Sequence, residues 1–246
     1  MPEWYGEDLA YIHDAGHAEF ALQTAPGILE ILAQNGIHEG LVVDLGCGSG
    51  LLARKLLDAG YRVLGIDISE AMIELARRRA PEAEFRVGSL FDADIPPCAA
   101  VTAVSEVLNY LFDPENENIG LARLFRRVHD ALATGGVFVF DVLGPGQVPP
   151  GVTARGFRVG EDWAVLSERE EEAGRGTMAR RIVSFRKVGE HYRRDDEVHR
   201  VRLYDPEELS AELRGAGFEV RTMRSYGAYH LGGNHAAFEA RKAGAG

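Results

Sequence analysis

The chain has 246 residues, 46% hydrophobic and 26% charged, the make-up of a globular protein long enough to bury a core unaided. Its 27 basic against 38 acidic residues give a formal net charge of −11, so the surface repels a phosphate backbone and nucleic acid is not an expected partner. Two cysteines exclude a disulfide scaffold and fit a reducing cytoplasm; the acids of residues 1–16 stand where a signal peptide needs a basic and then an apolar region, so none is expected, and no apolar run approaches the ~20 residues of a membrane span.

Apolar residues recur at helical spacing over 18–32 and stop at Asn35-Gly36, which predicts a helix. A strand is predicted over 41–45, followed by a glycine loop, a helix over 51–58 closed by Gly60, and a strand over 62–66. Ser69 opens the next helix, and 84–87 is a third strand. The run 99–104 is a fourth strand. Residues 118–132 form a helix with Leu121, Leu124, Phe125, Val128 and Leu132 on one face, ended by Gly135-Gly136, and 137–141 is a buried fifth strand. Such alternation implies a parallel sheet covered on both faces, a doubly wound α/β fold. After Pro149-Pro150 the apolar period shortens to two over 152–203, which predicts three or four antiparallel strands and no helix. The α/β pattern then resumes with a helix over 206–214 and strands over 218–223 and 236–241.

The stretch Asp44-Leu45-Gly46-Cys47-Gly48-Ser49-Gly50 runs from strand to helix, and its alternate glycines let backbone approach a ligand that any Cβ would block. Asp67 ends the second strand, 21 residues after Gly46, where a carboxylate can accept hydrogen bonds from ribose hydroxyls. A nicotinamide cofactor is an alternative, because Gly48-Ser49-Gly50-Leu51-Leu52-Ala53 satisfies the loose dinucleotide pattern. Asp44 separates the two: it would repel a pyrophosphate but can hold a cationic amino acid group, and S-adenosylmethionine carries an ammonium and a sulfonium but no phosphate.

The loop resembles the first motif of the class I S-adenosylmethionine-dependent methyltransferases at every defining position. The resemblance implies a seven-stranded, mostly parallel Rossmann-like sheet closed by Ala216-Gly217-Phe218 and an antiparallel last strand. It implies that Asp44, Gly46 and Gly48 surround the methionine portion, with Cys47 and Gly50 of the same loop also binding the cofactor, that Asp67 holds the ribose, and that Ile68 and Met72 line the adenine side. Ser89, standing where the family commonly has Asp, and Leu90 resemble the next adenine contact, and Ser105 resembles the position whose backbone meets the methionine end. Tyr11-Ile12-His13-Asp14 resembles a Tyr-Asp segment that folds over the cofactor, which makes Tyr11, His13 and His17 candidate lid residues. The implied organisation is an N-terminal helical lid segment (1–36), a cofactor-binding core (37–150), an antiparallel lid insertion (151–204) and the end of the core (205–246).

In a doubly wound sheet the ligand lies beyond the carboxyl ends of the strands, which nominates Glu106, Asn109, Asp141 and the loop 225–234 for the acceptor side. Methyl transfer needs an acceptor lone pair held in line with the sulfonium, and positioning supplies much of the acceleration. If a base is used, imidazole has the suitable pKa. His199 and His230 are the histidine candidates, with Tyr229 a pocket wall, and Trp4, Tyr5 and Trp163 covering or packing residues. The expected activity is methyl transfer to N or O of a small molecule by a monomer or homodimer, with no metal. The alternatives are a protein that binds S-adenosylmethionine without turnover and a nicotinamide oxidoreductase.

Overall fold

A computed structural model describes residues 4–112, 120–172 and 174–244. Helices α1 (Glu7–Gly16) and α2 (Ala18–Gln34) precede β1 (Leu41–Leu45), α3 (Leu51–Asp58), β2 (Arg62–Asp67), α4 (Glu70–Arg79), β3 (Glu84–Val87) and β4 (Cys98–Ala103). A short 3-10 turn at Val107–Asn109 leads toward α5 (Gly120–Ala131) and β5 (Leu132–Leu143). Then come four antiparallel strands, β6 (Ala154–Val159), β7 (Trp163–Glu172), β8 (Thr177–Val188) and β9 (His191–Arg202). The chain closes with α6 (Pro206–Gly215), β10 (Phe218–Met223), the small hairpin β11 (Ser225–Tyr226) and β12 (Tyr229–His230), and β13 (His235–Lys242).

The main sheet has seven strands in the order β10-β13-β5-β4-β1-β2-β3, parallel except for β13, which pairs antiparallel with both neighbours. Strand order reverses beside β1, so β1 and β4 diverge at their carboxyl ends and leave the crevice that such sheets use for ligands. One face is covered by α2, α3 and α4 through Ile28, Leu32, Leu56 and Ile73, the other by α5 and α6 through Leu124, Phe125, Leu209 and Leu213. Phe125, Phe138, Phe140 and Phe238 are fully buried on the latter side, and each contributes roughly 1.5–3 kcal/mol by leaving water.

Two boundaries differ from the sequence expectation. The helix expected over 118–132 is seen as α5, ending at Ala131, while Asn118 lies outside the described residues. The fifth strand begins at Leu132, because Leu132 pairs with Cys98 before the register shifts and Val137 takes up Ala100. Gly135, at φ +80, makes that bulge possible, so the glycine pair that was expected to stop a helix instead bends a strand.

The insertion folds as a four-stranded sheet, β6-β7-β8-β9, rooted in the core by Met178, Val201 and Leu203 packing on Leu143 and Val148. Helix α1 lies against it through Ile12, Trp163 and Val165. Alternation along these strands turns Val165, Ser167, Arg180, Ile182 and His199 to one side, and all five line the cavity described next.

Candidate active site

A cavity of about 660 Å³ lies between the carboxyl ends of β1, β2 and β4, helix α1 and the inner side of the four-stranded sheet. The turn after β1 forms its base. Gly46 is at φ +68, and a Cβ there would stand 2.6 Å from the Val107 side chain, so this position excludes any other residue. Gly48, at φ +51, faces open space where a side chain would intrude on the cavity.

Asp67 holds this turn. One carboxylate oxygen accepts from Gly48 N at 2.8 Å and the other from Ser69 N at 2.9 Å. A carboxylate has about four lone-pair sites, so these two bonds do not exhaust its capacity to accept from a ligand's hydroxyl. Ser69 caps α4 by accepting from Met72 N at 3.1 Å and donates its hydroxyl to Tyr5 O at 2.8 Å, which ties the N-terminal segment to α4.

Asp44 is buried and accepts a 2.6 Å hydrogen bond from the Thr102 hydroxyl. Burial pushes its carboxyl up to about 7 against the opposing Thr102 bond, with Asp67 adding to the rise. Two desolvated acids with spare lone pairs suit a cation and a diol and repel a phosphate, so the residues fit S-adenosylmethionine. Cys47, Ile68, Met72, Ser89 and Leu90 also line the cavity, the serine hydroxyl accepting from Phe91 N at 3.1 Å.

Beyond β4, Ser105 and Glu106 both take left-handed backbone, at φ +73 and +56. Such strain persists only where the surroundings impose it. Here Asp141 does so, accepting from Ser105 N at 3.0 Å and Glu106 N at 2.7 Å. The same carboxylate accepts the Tyr226 hydroxyl at 3.1 Å and lies 3.1 Å from His235 Nε2. Asp141 is fully buried and does not line the cavity, which corrects its expected contact with the reacting groups: it shapes the turn that carries Ser105 and Glu106. His235, unnoticed in the sequence, does line it. Burial lowers the affinity of this imidazole for a proton, but the bond to Asp141 and its charge outweigh that, for a net upward shift.

Glu106 faces the cavity and is paired with Arg180 of β8 through two bonds, of 2.6 and 2.8 Å. Burial disfavours the Arg180 charge, yet Glu106 beside it raises the guanidinium's hold on its proton overall. Its Nε has no hydrogen-bond partner. The Tyr5 and Tyr110 hydroxyls are bonded at 2.9 Å next to this pair, and burial pushes both above the ordinary phenol range, so they remain protonated.

His199 lies on the cavity wall among the rings of Trp4, Tyr5, Tyr110 and Phe112, with centroids 4.9–6.1 Å away. Its Nε2 lies 2.6 Å from a Glu197 carboxylate oxygen, and its Nδ1 has no partner. A carboxylate only accepts, so Nε2 carries a hydrogen, and in the neutral ring Nδ1 keeps the lone pair. His13 of α1 also lines the cavity; burial foremost, then His17, lowers its imidazole to about 4, so it stays neutral at physiological pH.

Besides Asp141, four expected site residues fall elsewhere. Tyr11 donates to Asp162 at 2.8 Å and lies under the Arg186 guanidinium, outside the cavity, because it is on the side of α1 turned to the lid's edge. His230 is exposed on β12, on the opposite side from its neighbour Tyr229, which does reach the cavity. Gly50 starts α3 behind the lining, packed on Ala76. Asn109 is buried and donates to Leu143 O and Arg202 O, a structural tie between β5 and the lid.

Arg180 and Glu197 were missed because they sit in a mixed-charge stretch that, read along one dimension, looks like a solvated face. Strand alternation held the only signal: residues 197 and 199, and 180 and 182, share a side of their strands.

Residues 42–136 match the family model described as a methyltransferase domain. The chain is 27% identical over 230 residues to a dTDP-4-amino-2,3,4,6-tetradeoxy-D-glucose N,N-dimethyltransferase of Saccharopolyspora spinosa, covering 89% of this chain and 88% of that protein. It is 35% identical over 124 residues to a ubiquinone biosynthesis O-methyltransferase of Alkalilimnicola ehrlichii, 47% of each chain. An S-adenosylmethionine-dependent methyltransferase structure from Clostridium acetobutylicum superposes with a TM-score of 0.80 at 21% identity, over 96% of this chain and 98% of that one.

Proposed function

Because the chain is a class I S-adenosylmethionine-dependent methyltransferase, we propose that it methylates an amine of a small molecule, with His199 receiving the acceptor's proton. When bound, the cofactor supplies an electrophilic methyl carbon on a sulfonium. The chain's own residues must hold the acceptor, strip its proton and exclude water.

The observation that carries this reading is His199 in the cavity wall, with its Nε2 bonded to Glu197 and its Nδ1 buried without a hydrogen-bond partner. An amine ionises near pH ~8–10 against ~6.5 for imidazole, a gap that a positioned histidine bridges. A water-like hydroxyl, near ~16, lies far beyond it. The relative from Saccharopolyspora spinosa, aligned over nearly its whole length, is named for N,N-dimethyl transfer to an amino sugar, and this supports the same acceptor atom. The relative named for O-methyl transfer aligns over only about half of each chain.

In this reading Glu106 and Arg180 present a paired carboxylate and guanidinium to the polar groups of the acceptor, while Tyr5, Tyr110 and Phe112 form a wall against the bulk solvent. The test is a panel of amino sugars, free and nucleotide-linked, together with hydroxylated analogues lacking the amine. S-adenosylhomocysteine formation and a methyl group located on nitrogen are expected. Turnover of the hydroxylated analogues alone would overturn the reading.

A further inference from the structure

The N-terminal segment contributes Tyr5, Leu9, His13 and His17 to the cavity wall, so the closed cavity exists only while that segment is in place. Its attachment is specific. Glu197 of β9 accepts from Tyr5 N at 3.0 Å with one carboxylate oxygen and from Gly6 N at 3.2 Å with the other. Tyr5 is held at φ +50, a left-handed conformation unusual for a residue with a side chain. The same Glu197 carboxylate accepts from His199 Nε2 at 2.6 Å and is itself almost wholly buried, its side chain 8% exposed.

We propose that Glu197 is a positioning residue that latches the N-terminal segment over the cavity and, through the same carboxylate, sets the His199 tautomer that leaves Nδ1 bare, so that the proton acceptor is assembled as the cavity closes. The inference rests on the reading of His199 given above. One carboxylate cannot be left with unmatched lone pairs in a buried place without cost, so its backbone and imidazole donors support one another. When the segment lifts, Tyr5 N and Gly6 N leave the carboxylate, and water replaces them. The aromatic ring of Tyr5, 4.9 Å from that of His199, leaves with them. The imidazole then loses its dry surroundings, and the Glu197 carboxylate that orients it is opened to water. Such coupling would keep the base from working on an open, wet site.

The experiment is Glu197→Gln, whose side chain keeps the shape but replaces one accepting oxygen with an NH2 that opposes the donors around it. Three readouts are taken on the full chain with S-adenosylhomocysteine: the His199 nitrogen signals by NMR, cleavage by chymotrypsin at Tyr5 and Tyr11, and the dissociation rate of S-adenosylhomocysteine. Wild type is expected to show hydrogen on Nε2 and a bare Nδ1. The variant is expected to show mixed tautomers, with cleavage and dissociation both faster by roughly 10-fold. A wild-type His199 protonated on Nδ1 overturns the proposal, as does a variant with unchanged nitrogen signals or unchanged cleavage and release. Should Glu197→Gln fail to fold, Glu197→Asp, too short to reach all three donors, gives the same readouts. No methyl acceptor enters these measurements, so failure of the amine reading appears only in the acceptor panel.

Discussion

At the scale of single residues, the two acids at the base of the cavity have separable duties. Asp67 organises the glycine turn through Gly48 N and Ser69 N, and the proposed further duty is to accept from the ribose hydroxyls. Asp67→Ala is therefore expected to weaken S-adenosylhomocysteine binding by about 1.5–3 kcal/mol, through lost charged hydrogen bonds, as read by calorimetry. Unchanged affinity would show that the ribose lies elsewhere. Burial raises both carboxyls, that of Asp44 to about 7. Only the ionised form attracts an ammonium, so cofactor affinity should rise as pH increases through about 7, and binding near neutrality should release a proton. Calorimetry in two buffers of different ionisation heat measures that release, and Asp44→Asn should abolish it. The sign for stability is opposite. A folded-state value raised above the unfolded one makes the folded form bind the extra proton, so the contribution of Asp44 to stability falls as pH rises from about 4 to about 7.

Among the elements, the four-stranded insertion does more than roof a pocket. Its strand β8 delivers Arg180 to Glu106 of the turn after β4, and its strand β9 delivers His199 and Glu197, so the site is complete only when lid and core are docked. The sequence read this insertion as antiparallel strands over a pocket. That is the architecture observed, but nothing along one strand shows which residue of another it will meet. Arg180→Met tests the docking. It leaves Glu106 desolvated without its partner, and breaking such a pair costs about 3–5 kcal/mol when the charge left behind stays buried. A fall in thermal stability is expected, together with a larger loss of turnover than of cofactor affinity. A variant with wild-type melting and turnover would show that the pair is decorative. The double variant Glu106→Gln with Arg180→Met should recover part of the stability, since no lone charge remains.

For the molecule as a whole, Asp141 joins more of the fold than any other acid in the cavity region. It sits on β5, bonds the strained Ser105-Glu106 turn, and reaches Tyr226 of β11 and His235 of β13. Asp141→Asn exchanges two accepting lone pairs for an NH2 that faces donors, so a lower melting temperature and weaker cofactor binding are expected together. A loss of turnover with melting and binding unchanged would instead return Asp141 to direct contact with the reacting groups. The sequence by itself determined the doubly wound sheet, the glycine turn, Asp44 and Asp67, because each depends on local constraints: apolar period, a backbone free of Cβ, and an acid at a strand end. Ser105 and Glu106 were also legible, since they follow a strand whose end must face the crevice. Only the tertiary structure decided that Asp141 supports the turn and does not touch the cavity, that Tyr11 and His230 point away, that Arg180 and His235 line the cavity, and that Glu197 stands behind His199. Those outcomes depend on which strands pair and in what register, and register is set by the packing of the whole sheet, where a shift of one residue would turn every side chain to the other face.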